Sequence, residues 1–182
     1  MINASTADPS LLHAVLVLAR ADLVRVQSRQ GTDLTPAFPD IAQAAAQLDE
    51  DLVLDGELIV AHEGRLHFGE LQRRARRRGR SAVQAAAERP AYLVVFDVLE
   101  ASGTELVARL YRKRRAILED LFARDTLTAP FTLCPATADR TIAQDWLDPA
   151  WGTAGIEGVL YAQFGADRLT TVTPVPTEGV GG

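Results

Sequence analysis

Two carboxylates set two residues apart on an otherwise apolar strand are the first sign of chemistry in this chain. In LVLDGELIV, residues 52–60, the two-residue period of a strand puts Leu52, Leu54, Leu58 and Val60 on one face and Asp55 and Glu57 on the other. Two more apolar stretches carry an acid of their own: Asp97 in AYLVVFDVLE (91–100) and Glu157 in GIEGVLYAQ (155–163). Burying an isolated carboxylate costs on the order of several kcal/mol unless a partner offsets it. Strands that keep such residues therefore open them to a polar cleft or pair them. In a cleft, carboxylates accept hydrogen bonds from sugar hydroxyls, ligate a metal ion or hold a guanidinium. The competing reading is an internal arginine–carboxylate network. Arginine is plentiful, because Lys113 is the only lysine among 19 basic residues.

Other side chains admit two readings each. Phe96 precedes Asp97 and, by strict alternation, faces the other side of its strand; it is either core or a stacking platform for a base. The run RRARRRGR contains Arg73, Arg74, Arg76, Arg77, Arg78 and Arg80. It is either a phosphate-binding patch for DNA or a solvated helix end complementing the macrodipole. YRKRR (111–115) reads as a solvated helix face. Cys134 is the single cysteine, which excludes an internal disulfide framework and any multi-cysteine zinc site. Its apolar setting, FTLCP, is that of a buried thiol.

The elements that must position these residues follow from periodicity and punctuation. Residues 11–19 and 22–28 form two strands around a tight turn at Arg20–Asp22. TPAFPDIAQAAAQL (35–48) is a helix, with Thr35 as cap, Pro36 in its first turn, and Phe38, Ile41, Ala45 and Leu48 on one stripe. Residues 52–68 make a hairpin turning at HEG (62–64). FGELQRRARRRGR (68–80) is a helix ending in the arginine cluster. YRKRRAILEDLF (111–122) is a helix whose inner stripe is Ile117, Leu118, Leu121 and Phe122. PFTLC is a short strand, and 139–147 a helix ended by Asp148–Pro149. Hairpins mixed with helices, without βαβ regularity, spell an α+β fold on largely antiparallel sheet. With 182 residues, 47% hydrophobic and 24% charged, the chain is long enough for one core, and its net charge of −5 gives no global attraction to nucleic acid. The apolar run at 11–19 lacks a basic flank and is too short to span a bilayer, so a soluble, cytoplasmic protein is expected. Residues 1–10 are expected to be loose and 170–182 disordered, flanking one domain at 11–169.

Taken together, these segments resemble the adenylation domain of ATP-dependent DNA ligases of the bacterial repair type. SRQGTDLTPAFPDI (28–41) is similar to the segment after the family's nucleophile motif, and VLDGELIV to its D-G-E motif. HFGELQRR resembles the F-x-x-L-Q-x-R stretch, YLVVFDVLE the adenine-stacking strand, YRKRRAILEDLF the helix after it, and GIEGVL the E-G-V motif. They occur in family order over about residues 12–162. The resemblance implies the nucleotidyltransferase fold shared with mRNA-capping enzymes, ATP-grasp-like, here incomplete. It also implies ATP and Mg2+ as cofactors and a role in DNA repair and recombination. Glu57 is then the acceptor for the ATP ribose, with Asp55 shaping the pocket. Phe96 stacks on adenine, Glu157 lies near the metal, and Arg29 contacts ribose or the phosphate at a nick.

The sequence also departs from the family pattern. The family attacks the α-phosphate of ATP with the lysine of K-x-D-G-x-R; the corresponding stretch here, PSLLHA (9–14), has no lysine, and none precedes Lys113. Arginine cannot replace it, because a guanidinium stays protonated and offers no nucleophilic lone pair. E-G-V-V-A-K becomes EGVLYA, with Ala162 in the lysine slot, and the C-terminal OB-fold domain of the family is expected to be missing. The expectation is a family member that does not adenylylate itself. The alternatives are a non-catalytic module for ATP or nicked DNA, and an active ligase whose start lies upstream of Met1.

Overall fold

A computed structural model of the chain describes residues 14–62, 65–137, 139, 141, 159–161 and 170–172. Its centre is a sheet of seven strands. Strand β1 (Ala14–Arg20) pairs antiparallel with β2 (Leu23–Ser28) on one side and β3 (Leu52–His62) on the other. β3 pairs antiparallel on its other side with β5 (Ala91–Ala101), which pairs in turn with the short β6 (Thr104–Glu105). β4 (Arg65–Leu66) turns back on β3, and β7 (Phe131–Leu133) joins β5 in parallel. β8 (Val159–Tyr161) and β9 (Thr170–Val172) make a separate two-stranded sheet. β9 thus heads the segment whose composition suggested disorder.

The alternation read from residues 52–60 holds. Leu52, Leu54, Leu58 and Val60 are buried at the core, while Asp55 and Glu57 on the other face are only partly covered. The same face of the sheet collects Val15, Val17, Leu93, Val95 and Val98. Against it lie α1 (Pro39–Ala45), through Phe38 and Ile41, and α4 (Tyr111–Ala123), through Leu118 and Leu121.

The expected helix over 35–48 is interrupted. Thr35–Ala37 is a 3-10 turn, and α1 begins only at Pro39, because Pro39 removes an amide donor and restricts Phe38 to non-helical backbone. Thr35 does not cap it: its Oγ1 accepts the Val26 amide at 2.9 Å, tying the turn to β2. The expected helix over 68–80 is likewise two helices, α2 (Phe68–Ala75) and α3 (Arg80–Glu88), separated at Gly79 with φ +55°. Most of the expected helix at 139–147 lies outside the described residues.

Candidate nucleotide-binding site

Three of the residues singled out from the sequence converge at the sheet face opposite the core. Arg29 follows β2 in a tight turn: the Ser28 amide and hydroxyl bond Thr32, the Gly31 amide donates to the Ser28 carbonyl, and Gly31 adopts φ +86°, which favours glycine. That turn sends the Arg29 guanidinium 3.4 Å from the Asp55 carboxylate and 5.9 Å from the centroid of the Phe96 ring. Glu57 follows Asp55 on the same face of β3, opposite Val94 of β5 and Ala14 of β1.

A kink in β5 brings Phe96 to this face. Asp55 pairs with Asp97 and Gly56 with Val95, so Phe96 is an extra residue without a partner on β3. Such a bulge breaks strict alternation and re-aims a side chain. The expectation that Phe96 and Asp97 point to opposite sides is therefore corrected: both oppose Asp55. Gly56 keeps the two strands close. A Cβ there would meet the Val94 carbonyl oxygen at 2.7 Å, which explains glycine between the two acids.

Asp55 carries the most perturbed charge of the site. Burial pushes its carboxyl up to about 6, the neighbouring Asp97 adds to the rise, and Arg29 opposes it. Its Oδ1 is buried without a hydrogen-bond partner. A buried acceptor left open beside a guanidinium and an aromatic face suits a ligand that brings a hydroxyl or amino donor and a flat ring. Cys134 follows β7, its amide donating to the Val95 carbonyl at 2.8 Å; it is half-buried rather than fully enclosed as expected, and its thiol is pushed up by burial first, with Arg115 opposing and Glu57 reinforcing.

Asp97 realises the competing reading. Its carboxylate is buried and paired with Arg114 of α4: Nε donates to Oδ1 at 2.9 Å and Nη2 to Oδ2 at 2.7 Å. Arg114, expected on a solvated helix face, is 2% exposed. The signal was present, since Arg114 stands one turn before Leu118 and two before Leu121 on the inner stripe.

The arginine cluster divides. Arg74 is corrected from surface ligand to core residue. It is fully buried, its Nη1 and Nη2 bond both oxygens of Asp40 at 3.1 and 2.7 Å, and Nη1 also donates to the Arg89 carbonyl. Arg73, Arg76, Arg78 and Arg80 are exposed and Arg77 is half-buried. Arg78 turns back to cap the carbonyls of Ala75 and Arg77, the helix-end role read from the sequence. Arg73, Arg77 and Arg89 surround the buried Glu70 carboxylate at 2.9, 3.8 and 3.2 Å, beside an open cleft of about 320 Å³. Arg89 and Glu70 were not singled out from sequence. Glu157 lies outside the described residues, and among the described residues no group of three or more His, Cys, Asp or Glu could hold a metal ion. Nor, among them, is any helix long and apolar enough to cross a membrane.

The ATP dependent DNA ligase domain family matches residues 15–164. The chain belongs to this family. It is 33% identical over 138 residues to DNA ligase C2 of Mycolicibacterium smegmatis, covering 75% of this chain and 38% of that protein. With DNA ligase C of Mycobacterium tuberculosis the identity is 34% over 143 residues, covering 76% and 39%. Among solved structures, the ligase domain of M. tuberculosis LigD superposes with a TM-score of 0.60 at 28% identity, over 81% of this chain and 44% of that one. A mycobacterial DNA ligase D complexed with ATP and MES superposes at 0.51 with 30% identity, over 68% and 36%. The chain thus spans less than half the length of these ligases, and its curled antiparallel sheet with flanking helices is their nucleotidyltransferase domain in part.

Proposed function

We propose that this member of the ligase family holds the nucleoside of ATP in the pocket formed by Arg29, Asp55, Glu57 and Phe96, without taking AMP onto itself. The observation that carries the reading is the meeting of Arg29, Asp55 and Phe96 around the open Asp55 oxygen. Glu57 accepts from the ribose, Asp55 orients Arg29, and Phe96 presents its ring to adenine. Arg29 supplies positive charge toward ribose or phosphate. Glu157 is the proposed carboxylate for Mg2+, which screens the phosphates when bound. The loss of adenylyl transfer rests on residue types: Lys113, the single lysine, lies exposed on α4, and Ala162 occupies the slot of a phosphate-binding lysine. Removing fixed cations from a developing phosphate charge costs about a hundredfold or more in rate per group. The role is cytoplasmic, in DNA repair.

The exposed Arg73, Arg76, Arg78 and Arg80, with the half-buried Arg77, form the proposed contact with the DNA backbone. Titration with ATP and with a nicked duplex at two salt concentrations tests both parts. Saturable ATP binding that weakens about tenfold in Arg29→Ala is expected. For DNA, affinity should fall with salt, and a double Arg73→Ala, Arg77→Ala variant should flatten that dependence by about one to two units of slope. Absence of saturable ATP binding in the unaltered chain overturns the nucleotide reading. An unchanged slope overturns the DNA contact.

A further inference from the structure

The geometry points to Tyr111 as a positioning residue for Phe96: helix α4 clasps the bulge of β5 and so sets the angle of the stacking ring. The inference rests on the reading of Phe96 as an adenine platform. Phe96 is one of two residues of β5, with Leu99, that the register with β3 skips, so the sheet ladder alone does not fix its peptide. The Tyr111 hydroxyl donates to the Phe96 carbonyl at 3.2 Å. Burial, the largest influence on it, raises the Tyr111 phenol, with Arg115 opposing through its charge and a side-chain hydrogen bond.

Arg114 completes the clasp. It lies one turn further along α4, with its guanidinium 5.8 Å from the centre of the Tyr111 ring. It grips Asp97, the residue after Phe96, with two nitrogens, and Asp97 Oδ1 also accepts the Val98 amide at 2.9 Å. Its third nitrogen donates to the carbonyls of Val107 and Arg109, in the loop that leads into α4. One buried guanidinium therefore fixes the strand, the loop and the phenol ring in a single arrangement. Tyr111 holds the carbonyl of the bulged residue while Arg114 holds the side chain of the next one. Between them they hold the backbone on both sides of the Phe96 ring, which lies 5.9 Å from the Arg29 guanidinium.

A double-mutant cycle on ATP affinity tests the role, with Tyr111→Phe removing only the hydroxyl and Phe96→Leu removing the aromatic face. Thermal melts accompany each variant. Tyr111→Phe should weaken ATP binding by about fivefold, the worth of one such hydrogen bond, and should have no further effect in the Phe96→Leu background. Equal losses in both backgrounds would show that Tyr111 acts elsewhere and would overturn the positioning role. So would a lowered melting temperature with unchanged ATP affinity. If Phe96→Leu alone binds ATP as tightly as the unaltered chain, the stacking reading itself fails, and the role of Tyr111 falls with it.

Discussion

Asp55 shows how one residue can be read correctly in type and incompletely in state. Its place on the polar face of β3 follows from the spacing of leucines around it, and that was legible in LVLDGELIV. What spacing could not show is the balance between burial and Arg29. The guanidinium is 43% exposed and 3.4 Å away, a contact worth at most about 1 kcal/mol. The burial penalty exceeds it, and the carboxyl rises to about 6 from 3.8. A carboxyl raised in the folded state is a source of stability below its unfolded value and loses that contribution as pH climbs through about 6. Relative to Asp55→Asn, the unaltered chain should therefore lose up to about 3 kcal/mol of unfolding free energy between pH 4 and 7, at about 1.4 kcal/mol per unit. Urea melts of both proteins across that range measure the difference. A flat difference would mean that Asp55 is ionised throughout.

At the scale of elements, the strands were easier to read than the helices, and the reason is visible in particular residues. β3 and β5 declare themselves by long apolar alternation. The break at Gly79 and the cut at Pro39 are local backbone events inside runs with good helical periodicity. The bulge at Phe96 has no mark in sequence, since it depends on how β3 and β5 register around Gly56. Arg74 is the clearest case. Six arginines in eight residues look alike as letters, yet only Arg74 falls on the inner face of α2. There it bridges Asp40 of α1 and the Arg89 carbonyl and lies 4.8 Å from the centre of the Phe38 ring. Asp40 in turn accepts the Ala91 amide that starts β5. Arg74→Ala should destabilise the fold by about 3–5 kcal/mol, because it leaves a largely buried carboxylate uncompensated. Arg76→Ala, on the exposed side, should change stability by less than about 0.5 kcal/mol. Equal effects in chemical denaturation would contradict this division.

For the whole molecule, the sheet has two uses. One face is filled by Val15, Leu54, Leu58, Leu93 and the helices that cover them; the other gathers Arg29, Asp55, Glu57 and Phe96. The family membership was legible in short motifs kept in order: LVLDGELIV and YLVVFDVLE fall on the adjacent strands β3 and β5, and HFGELQRR and YRKRRAILEDLF on α2 and α4. On the proposed reading binding is separate from chemistry, because the strand motifs are kept while Lys113 is the single lysine of this sequence. Holding a nucleoside needs acceptors, a ring and a cation, all present on described residues. Transfer needs an unprotonated amine, and the one lysine stands on the solvent side of α4.

Incubation with Mg2+ and ATP labelled at its α-phosphate, followed by counting protein-bound label before and after denaturation, tests both halves of that claim together. The account predicts label retained by the native protein and released completely on denaturation. Label that survives denaturation, or none held by the native protein, would contradict it.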